Sequence, residues 1–371
     1  MEPNKLPQIV IKQIEKISPS GYFALESCTL QGILEENNDP LIPSSPNAHV
    51  GTIVHMLLQG AILGDVTTKN MQQEWDDACR KTDERLGKNP LEIHLVPLNT
   101  SANNFEVKKY LLFKMIEDIE KDRIPHEAAI NTVPEATETI PLITKVETEE
   151  GFETPDKKVR GRIDLIRHTA QGIEIVDYKT GAIEDQNSND GSPKSEYAEQ
   201  LKLYAALFHS ERKVWPKRLL LVGLDQKEHN ITFTEKECQQ ILEKAIHDIN
   251  SINQQIAEGK KPENLATPSP KACHYCKFRP ICKAYWSAKG QPKDGWPIDV
   301  VGEVKENKIL GNGLRRVIIS TDRGDLSIRG LSDRHRFLNN NPHKVLFCNL
   351  SADIREGFYL ENMLTVGYVQ E

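Results

Sequence analysis

Three charged side chains raise the first chemical question. Asp164 closes the run Gly161-Arg162-Ile163-Asp164, and after twelve residues Asp177-Tyr178-Lys179-Thr180-Gly181 begins. Asp177 and Lys179 are two apart, so on a strand their side chains share one face. If a neighbouring strand carries Asp164, the two carboxylates can converge at one edge of a sheet. Two hard carboxylates hold Mg²⁺ or Mn²⁺ through oxygen. Such an ion polarises a phosphoryl oxygen, lowers the pKa of a bound water and steadies a leaving alkoxide. A lysine beside it offsets negative charge in the transition state. The chemistry implied is phosphodiester hydrolysis. Taken alone, the same residues also fit a strand ending in a surface Asp–Lys pair, since such pairs are common. The context favours a site, because Asp177 follows the apolar-rich Ile173-Glu174-Ile175-Val176 and stands where a strand leaves the core.

Other polar residues fall into place around this set. Gln200 and Tyr204 are four apart and lie on one helical face, where either can hydrogen-bond a phosphate or a carboxylate. An ordinary amphipathic helix would place them the same way. His55, in Gly51-Thr52-Ile53-Val54-His55, sits on an otherwise apolar helix. A lone histidine there is more often a core residue, but a third metal ligand gives it a task. Glu147 precedes Asp164 by one strand and is a further candidate acid on the metal side.

The elements that must position these residues are legible from periodicity. Val50, Val54, Leu57, Leu58 and Ala61 stripe a helix over His49–Ala61, and Phe105–Asp122 reads as a second. The period then shortens. Ile140–Thr148, Val159–Arg167 and Ile173–Lys179 read as strands, followed by a polar loop over Ile183–Lys194. A helix over Ser195–His209 and an apolar strand over Arg218–Leu224 come next. Thr234 opens a long helix with Glu237 completing a capping box, and Gly259 ends it. Pro262–Pro270 and Gly290–Pro297 break the chain, which suggests one domain over 1–290 and another over 296–371. The tail reads as five strands (Val300–Val304, Arg315–Thr321, Asp325–Arg329, Lys344–Leu350, Gly357–Val366) with a short helix, Ser332–Leu338, after the third. That is the order of an all-β OB-like barrel.

A second constellation is sulfurous. Of seven cysteines, Cys273-x₂-Cys276-x₅-Cys282 has the spacing of metal ligands. In a reducing cytoplasm such clustering suggests metal rather than disulfides. Three thiolates require a fourth ligand, and His274 is a poor geometric choice. Cys79, Cys238 and Cys348 read as buried thiols.

The net charge of −7 is unevenly spread. Residues 267–294 carry six basic side chains against Asp294, residues 296–371 hold ten of each sign, and the acid excess lies in residues 1–266. Basic residues near the cysteines alternate with Tyr275, Phe278, Tyr285 and Trp286, a mix that can neutralise phosphates and stack bases or simply pack around a cluster. No apolar run approaches the roughly 20 residues that span a bilayer, and no signal-peptide core opens the chain, which implies a cytoplasmic protein. The absence of a G-x-x-x-x-G-K-[ST] loop implies that any strand unwinding comes from a partner helicase.

The ordered set Gly51/His55, Gly161/Asp164, Asp177 to Gly181 and Gln200/Tyr204 resembles the RecB-like branch of the PD-(D/E)XK nucleases over roughly Ser18 to Trp286. The resemblance implies an α/β, restriction-endonuclease-like core, a mixed sheet flanked by helices. It implies that His55, Asp164 and Asp177 bind the metal with help from the Tyr178 carbonyl, that Lys179 is catalytic, and that Gln200 and Tyr204 support the site. The cysteine layout resembles the AddB and CRISPR-associated members, with Ser18 to Cys28 matching their upstream segment. A 4Fe–4S cluster on Cys28, Cys273, Cys276 and Cys282 is then implied, with Zn²⁺ as its rival. The expected function is a Mg²⁺- or Mn²⁺-dependent DNA nuclease for ends or flaps, in repair, CRISPR or anti-phage defence. The alternative is a non-catalytic Fe–S DNA-binding scaffold subunit of a helicase–nuclease complex.

Overall fold

The computed structural model describes residues 5–128, 143–185, 191–353 and 357–370, and side chains 122–128 lie outside that description. Residues 140–142 of the first expected strand and 186–190 of the expected loop also lie outside the described residues.

Local chemistry fixes the helix starts. Ser18 caps α1 (Pro19–Ser27) by accepting the Gly21 N–H at 3.0 Å, with proline at the first helical position. Cys28, at φ −157° and ψ 110°, is the extended residue that separates α1 from α2 (Thr29–Asn37). α3 (Pro46–Leu63) repeats the Ser-Pro start at Ser45 and ends on left-handed Gly64. With α4 (Met71–Leu86), α5 (Leu98–Ser101) and α6 (Phe105–Ala128) it encloses a core that includes Trp75, Leu86, Leu98, Leu112 and Ile116.

The first sheet has the order β1 (Ile143–Glu153), β2 (Arg160–Thr169), β3 (Gly172–Lys179), β4 (Arg218–Gly223), β5 (Glu228–Asn230). β1, β2 and β3 are antiparallel, β3 and β4 are parallel across α7 (Ser195–Arg212), and β5 returns antiparallel. One face of this mixed sheet buries Ile163, Ile166, Ile175 and Leu221 with Leu201 and Leu207 of α7 and Leu242 and Ile249 of α8 (Glu235–Ala257). Thr234 and Glu237 form the expected capping box. The other face, Leu165, Val176, Leu220 and Val222, packs on Ile62 of α3. Helices thus flank the sheet on both sides, as expected of the core.

After α9 (Pro270–His274) and α10 (Lys283–Ala288), the tail departs from the expectation. β6 (Val300–Ile309), β7 (Arg315–Thr321), β8 (Gly324–Leu331), β9 (Lys344–Cys348), β10 (Ser351–Asp353), β11 (Phe358–Leu360) and β12 (Val366–Gln370) form one seven-stranded sheet in the order β10-β11-β8-β7-β6-β9-β12. Its end strands β10 and β12 do not pair with each other, so among the described residues no closed OB-like barrel is formed. The expected strand Gly357–Val366 is broken in the middle. Glu361 is drawn to Arg334, His335 and the Ser332 N–H, and Asn362 with Thr365 makes a turn anchored on the Asn349 carbonyl. The two halves therefore pair at distant places in the sheet, β11 with β8 and β12 with β9.

The second sheet is not a free appendage. Leu346, Cys348, Val366 and Tyr368 join the core of the first sheet, and the Tyr368 hydroxyl donates to the Leu41 carbonyl at 2.6 Å. Arg279, 1% exposed, joins the two regions. Its guanidinium donates to the carbonyls of Cys273, His274 and Cys276, each at 2.9 Å, to Asp299 Oδ2 at 2.7 Å and to Asn349 Oδ1. Asp299 in turn accepts the Tyr285 hydroxyl and the Asn349 N–H, both at 2.8 Å. Every buried charge in this knot has a partner, as burial demands. Among the described residues, no helix is long and apolar enough to cross a membrane.

Candidate active site and cysteine site

The pairing of β2 with β3 runs to Leu165↔Val176 and leaves Asp164 and Asp177 at the next position, where the strands part. The Tyr178 N–H donates to Asp164 Oδ2 at 2.9 Å instead of to a ladder carbonyl. Lys179 Nζ lies 2.7 Å from Asp177 Oδ2 and donates to Gln200 Oε1 at 3.0 Å, and Gln200 Nε2 donates to the Tyr204 hydroxyl at 3.3 Å. His55 Nδ1 stands 3.3 Å from Asp164 Oδ2. The structure thus brings together Asp164, Asp177, Lys179, Gln200, Tyr204 and His55, with the Tyr178 backbone between the two acids.

Two glycines explain how these elements come so close. A Cβ on Gly51 would meet Thr180 Oγ1 at 2.7 Å, so α3 can lie against the end of β3 and hold His55 over Asp164. A Cβ on Gly161 would meet the Tyr204 ring at 2.7 Å and Pro19 at 2.9 Å. The sequence needs glycine at both because backbone replaces side chain at the contact.

Electrostatics follow from crowding. Asp177 is 4% exposed. Burial pushes its carboxyl up, Lys179 opposes this, Asp164 adds to it, and the result is a pKa of about 6. Its Oδ2 faces the Lys179 ammonium at 2.7 Å and has no other polar partner among the described residues. Burial alone would lower the pKa of His55, but the hydrogen bond and charge of Asp164, then Asp177, hold it above the ordinary value. Burial also lifts the Tyr178 hydroxyl to about 12.

Glu147 is not part of this set. It is held by His168 at 2.6 Å, Lys145 at 3.0 Å and Arg212 at 3.2 Å. The acid near the site is Glu149. It takes a left-handed φ of 51°, which upsets the alternation of β1, so Glu147 and Glu150 both reach Arg212. Burial raises the Glu149 carboxyl and the charge of Asp164 raises it further, while Arg162 and His55 counter. Period-two alternation puts 147 and 149 on one face, and only the strand register and the backbone turn at 149 separate them. Tyr197, also missed in the sequence, places its ring 4.6 Å from Lys179 Nζ. Its signal was its place one turn before Gln200 on the same helix.

Cys28, Cys273, Cys276 and Cys282 all border one cavity of about 20 Å³ between α2, α9 and α10. The Thr267 N–H points to Cys28 Sγ at 3.5 Å and the Tyr285 N–H to Cys282 Sγ at 3.4 Å. Burial pushes the Cys276 thiol to about 12 and the Cys282 thiol to about 11, so neither is a free thiolate at neutral pH. Cys238 and Cys348 are buried and Cys79 partly so, all three as free thiols.

Among the described residues, no group of three or more His, Cys, Asp or Glu side chains is arranged to hold a metal ion without adjustment. The donor sets are nevertheless of the right chemistry. A buried carboxylate oxygen whose one polar partner among the described residues is an ammonium ion suits a hard divalent ion. Four thiols around one cavity suit zinc or iron.

Comparison with known proteins gives the superfamily. The PD-(D/E)XK nuclease superfamily matches over residues 16–283, and the chain belongs to that superfamily. No curated protein matches. Among solved structures, one described as "SSO0001" is 18% identical, with 54% of this chain and 96% of that one covered and a TM-score of 0.24. Another, described as "Putative exonuclease" from Eubacterium rectale, is 12% identical, with 75% and 89% covered and a TM-score of 0.38.

Proposed function

We propose that this chain is a DNA nuclease that uses Mg²⁺ or Mn²⁺ to hydrolyse phosphodiester bonds at single-stranded ends or flaps. The observation that carries the reading is the meeting of Asp164, Asp177 and Lys179 where β2 and β3 part. His55, Asp164, Asp177 and the Tyr178 carbonyl would hold the ion, which supplies a water of lowered pKa and a counter-charge for the leaving oxygen. Lys179 is placed to hold that water or the scissile phosphate, and Gln200, itself fixed by Tyr204, holds the Lys179 amine. The second unit, residues 296–371, extends the track for the strand, with a helicase or other partner supplying unwinding where needed.

Incubation with end-labelled single-stranded and duplex DNA tests this. We expect cleavage that requires Mg²⁺ or Mn²⁺, stops with EDTA, and is absent from Asp164→Ala. DNA binding without cleavage by the unaltered protein under all metals would support the non-catalytic scaffold instead, and cutting by Asp164→Ala at the normal rate would remove the site assignment.

For the cysteines we propose a structural cluster on Cys28, Cys273, Cys276 and Cys282, which ties α1 and α2 to the chain some 250 residues on. A 4Fe–4S cluster is the first reading. Zn²⁺ is the rival reading, because four thiols bordering one cavity also suit a tetrahedral zinc site. Anaerobically purified protein is expected to be brown with iron and sulfide, and Cys28→Ser to lose both. Colourless protein with one zinc per chain would decide for the rival.

A further inference from the structure

We propose that Glu149 is an additional acid of the metal site, taking up the cation or one of its waters from the β1 side, with Arg162 as its resting partner. This rests on the nuclease reading above.

The register carries the argument. Thr148 faces Leu165 and Glu150 faces Ile163, which sets Glu149 across from Asp164 on the neighbouring strand. The left-handed φ of Glu149 departs from a regular opposed pair, yet the charge of Asp164 still reaches its carboxyl, and like charges across neighbouring strands are destabilising. Two carboxylates at such a pair weaken the sheet unless a cation lies between or beside them. The contrast with Glu147, two residues earlier, is instructive. Glu147 has histidine, lysine and arginine within 3.2 Å, the environment of a structural acid. Among the described residues, the ion-pair partner of Glu149 is the guanidinium of Arg162, 3.6 Å away and 68% exposed. That is a loose pairing, and an exposed arginine ion pair contributes little to stability.

A second observation comes from the far side of Asp164. There the buried Asp177 presents Oδ2, whose one polar partner among the described residues is the Lys179 ammonium at 2.7 Å. Acidic groups thus stand on both sides of Asp164, one from β1 and one from β3, while His55 covers it from α3. A divalent ion brought to Asp164 and Asp177 would draw the Glu149 carboxylate away from Arg162. The freed guanidinium, on the exposed rim, would then be available to a phosphate oxygen of the substrate.

Manganese affinity tests this independently of turnover. Mn²⁺ binding is measured by calorimetry on the full chain and on Glu149→Gln, Glu147→Gln and Asp164→Ala. We expect Glu149→Gln to weaken Mn²⁺ binding about 10- to 100-fold, the range for outer ligands of metal sites, with Glu147→Gln close to the unaltered protein. Equal affinity in Glu149→Gln, alongside loss of binding in Asp164→Ala, would overturn this inference and leave the nuclease reading standing. No saturable Mn²⁺ binding by the unaltered protein would overturn both. Thermal melts of each variant separate a binding loss from unfolding: a variant that binds weakly only because it has unfolded counts against the inference.

Discussion

Lys179→Ala is expected to cut DNA at least about a hundredfold more slowly than the unaltered protein, the scale found when one donor to a developing oxyanion is removed. The loss has two sources. The amine at 2.7 Å from Asp177 and 3.0 Å from Gln200 is the cation of the site. Its removal also leaves a buried carboxyl whose pKa already stands near 6 without its main opposing charge. More of Asp177 is then protonated at neutral pH, and a protonated carboxyl is a poor metal ligand. Raising the pH should therefore recover part of the metal affinity of Lys179→Ala and little of its cleavage rate. Lys179→Arg should rescue poorly, because a planar fork does not replace a compact ammonium ion in a pocket shaped by Tyr197 and Gln200. Single-turnover cleavage at several pH values, beside a Mn²⁺ titration, reads both effects. Undiminished cleavage by Lys179→Ala would remove the lysine from the chemistry.

The second large effect is on stability. Asp299→Ala should destabilise the protein by about 3–5 kcal/mol, the cost of leaving one member of a buried pair alone. Asp299 and Arg279 are each 1% exposed. Replacing both members of a buried pair with apolar residues often restores stability, but here it should not. The guanidinium also serves the carbonyls of Cys273, His274 and Cys276, and Arg279→Met would take this donor from all three, although Cys273 keeps the backbone N–H groups of Tyr275 and Cys276. The Arg279→Met, Asp299→Ala double variant is thus expected to be no more stable than Asp299→Ala. Urea denaturation of the three proteins decides it, and recovery in the double variant would show that the carbonyls find other donors.

Much of the core could be read from residue patterns, because its helices and strands carry dense, regular stripes. The β3 strand, with Ile175 and Val176 buried on opposite faces, and α8, with its cap and its Cys238-Leu242-Ala245-Ile249 stripe, are such cases. α4 was not legible. Its charged run hides three buried contacts, Trp75, Ala78 and Leu86, and no side chain caps its start. The motif residues of the site were visible as types and spacings, yet the choice between Glu147 and Glu149 depended on a backbone angle at one residue. The tail failed for a related reason. Strand count suggested a barrel, but the placement of β11 and β12 is set by Glu361, Asn362 and Thr365 reaching partners 13 to 29 residues away. Local periodicity carries no information about such reach.

The seat that the second sheet takes in the first core has a bearing on biosynthesis. Leu346, Cys348, Val366 and Tyr368 complete an interior begun by α1 and α2. A ribosome that has just made Cys282 has 86 residues still to add to reach Tyr368, which takes about 4–17 s at about 5–20 residues per second. During that interval the earlier chain exposes an apolar surface with nothing to cover it, an invitation to chaperones.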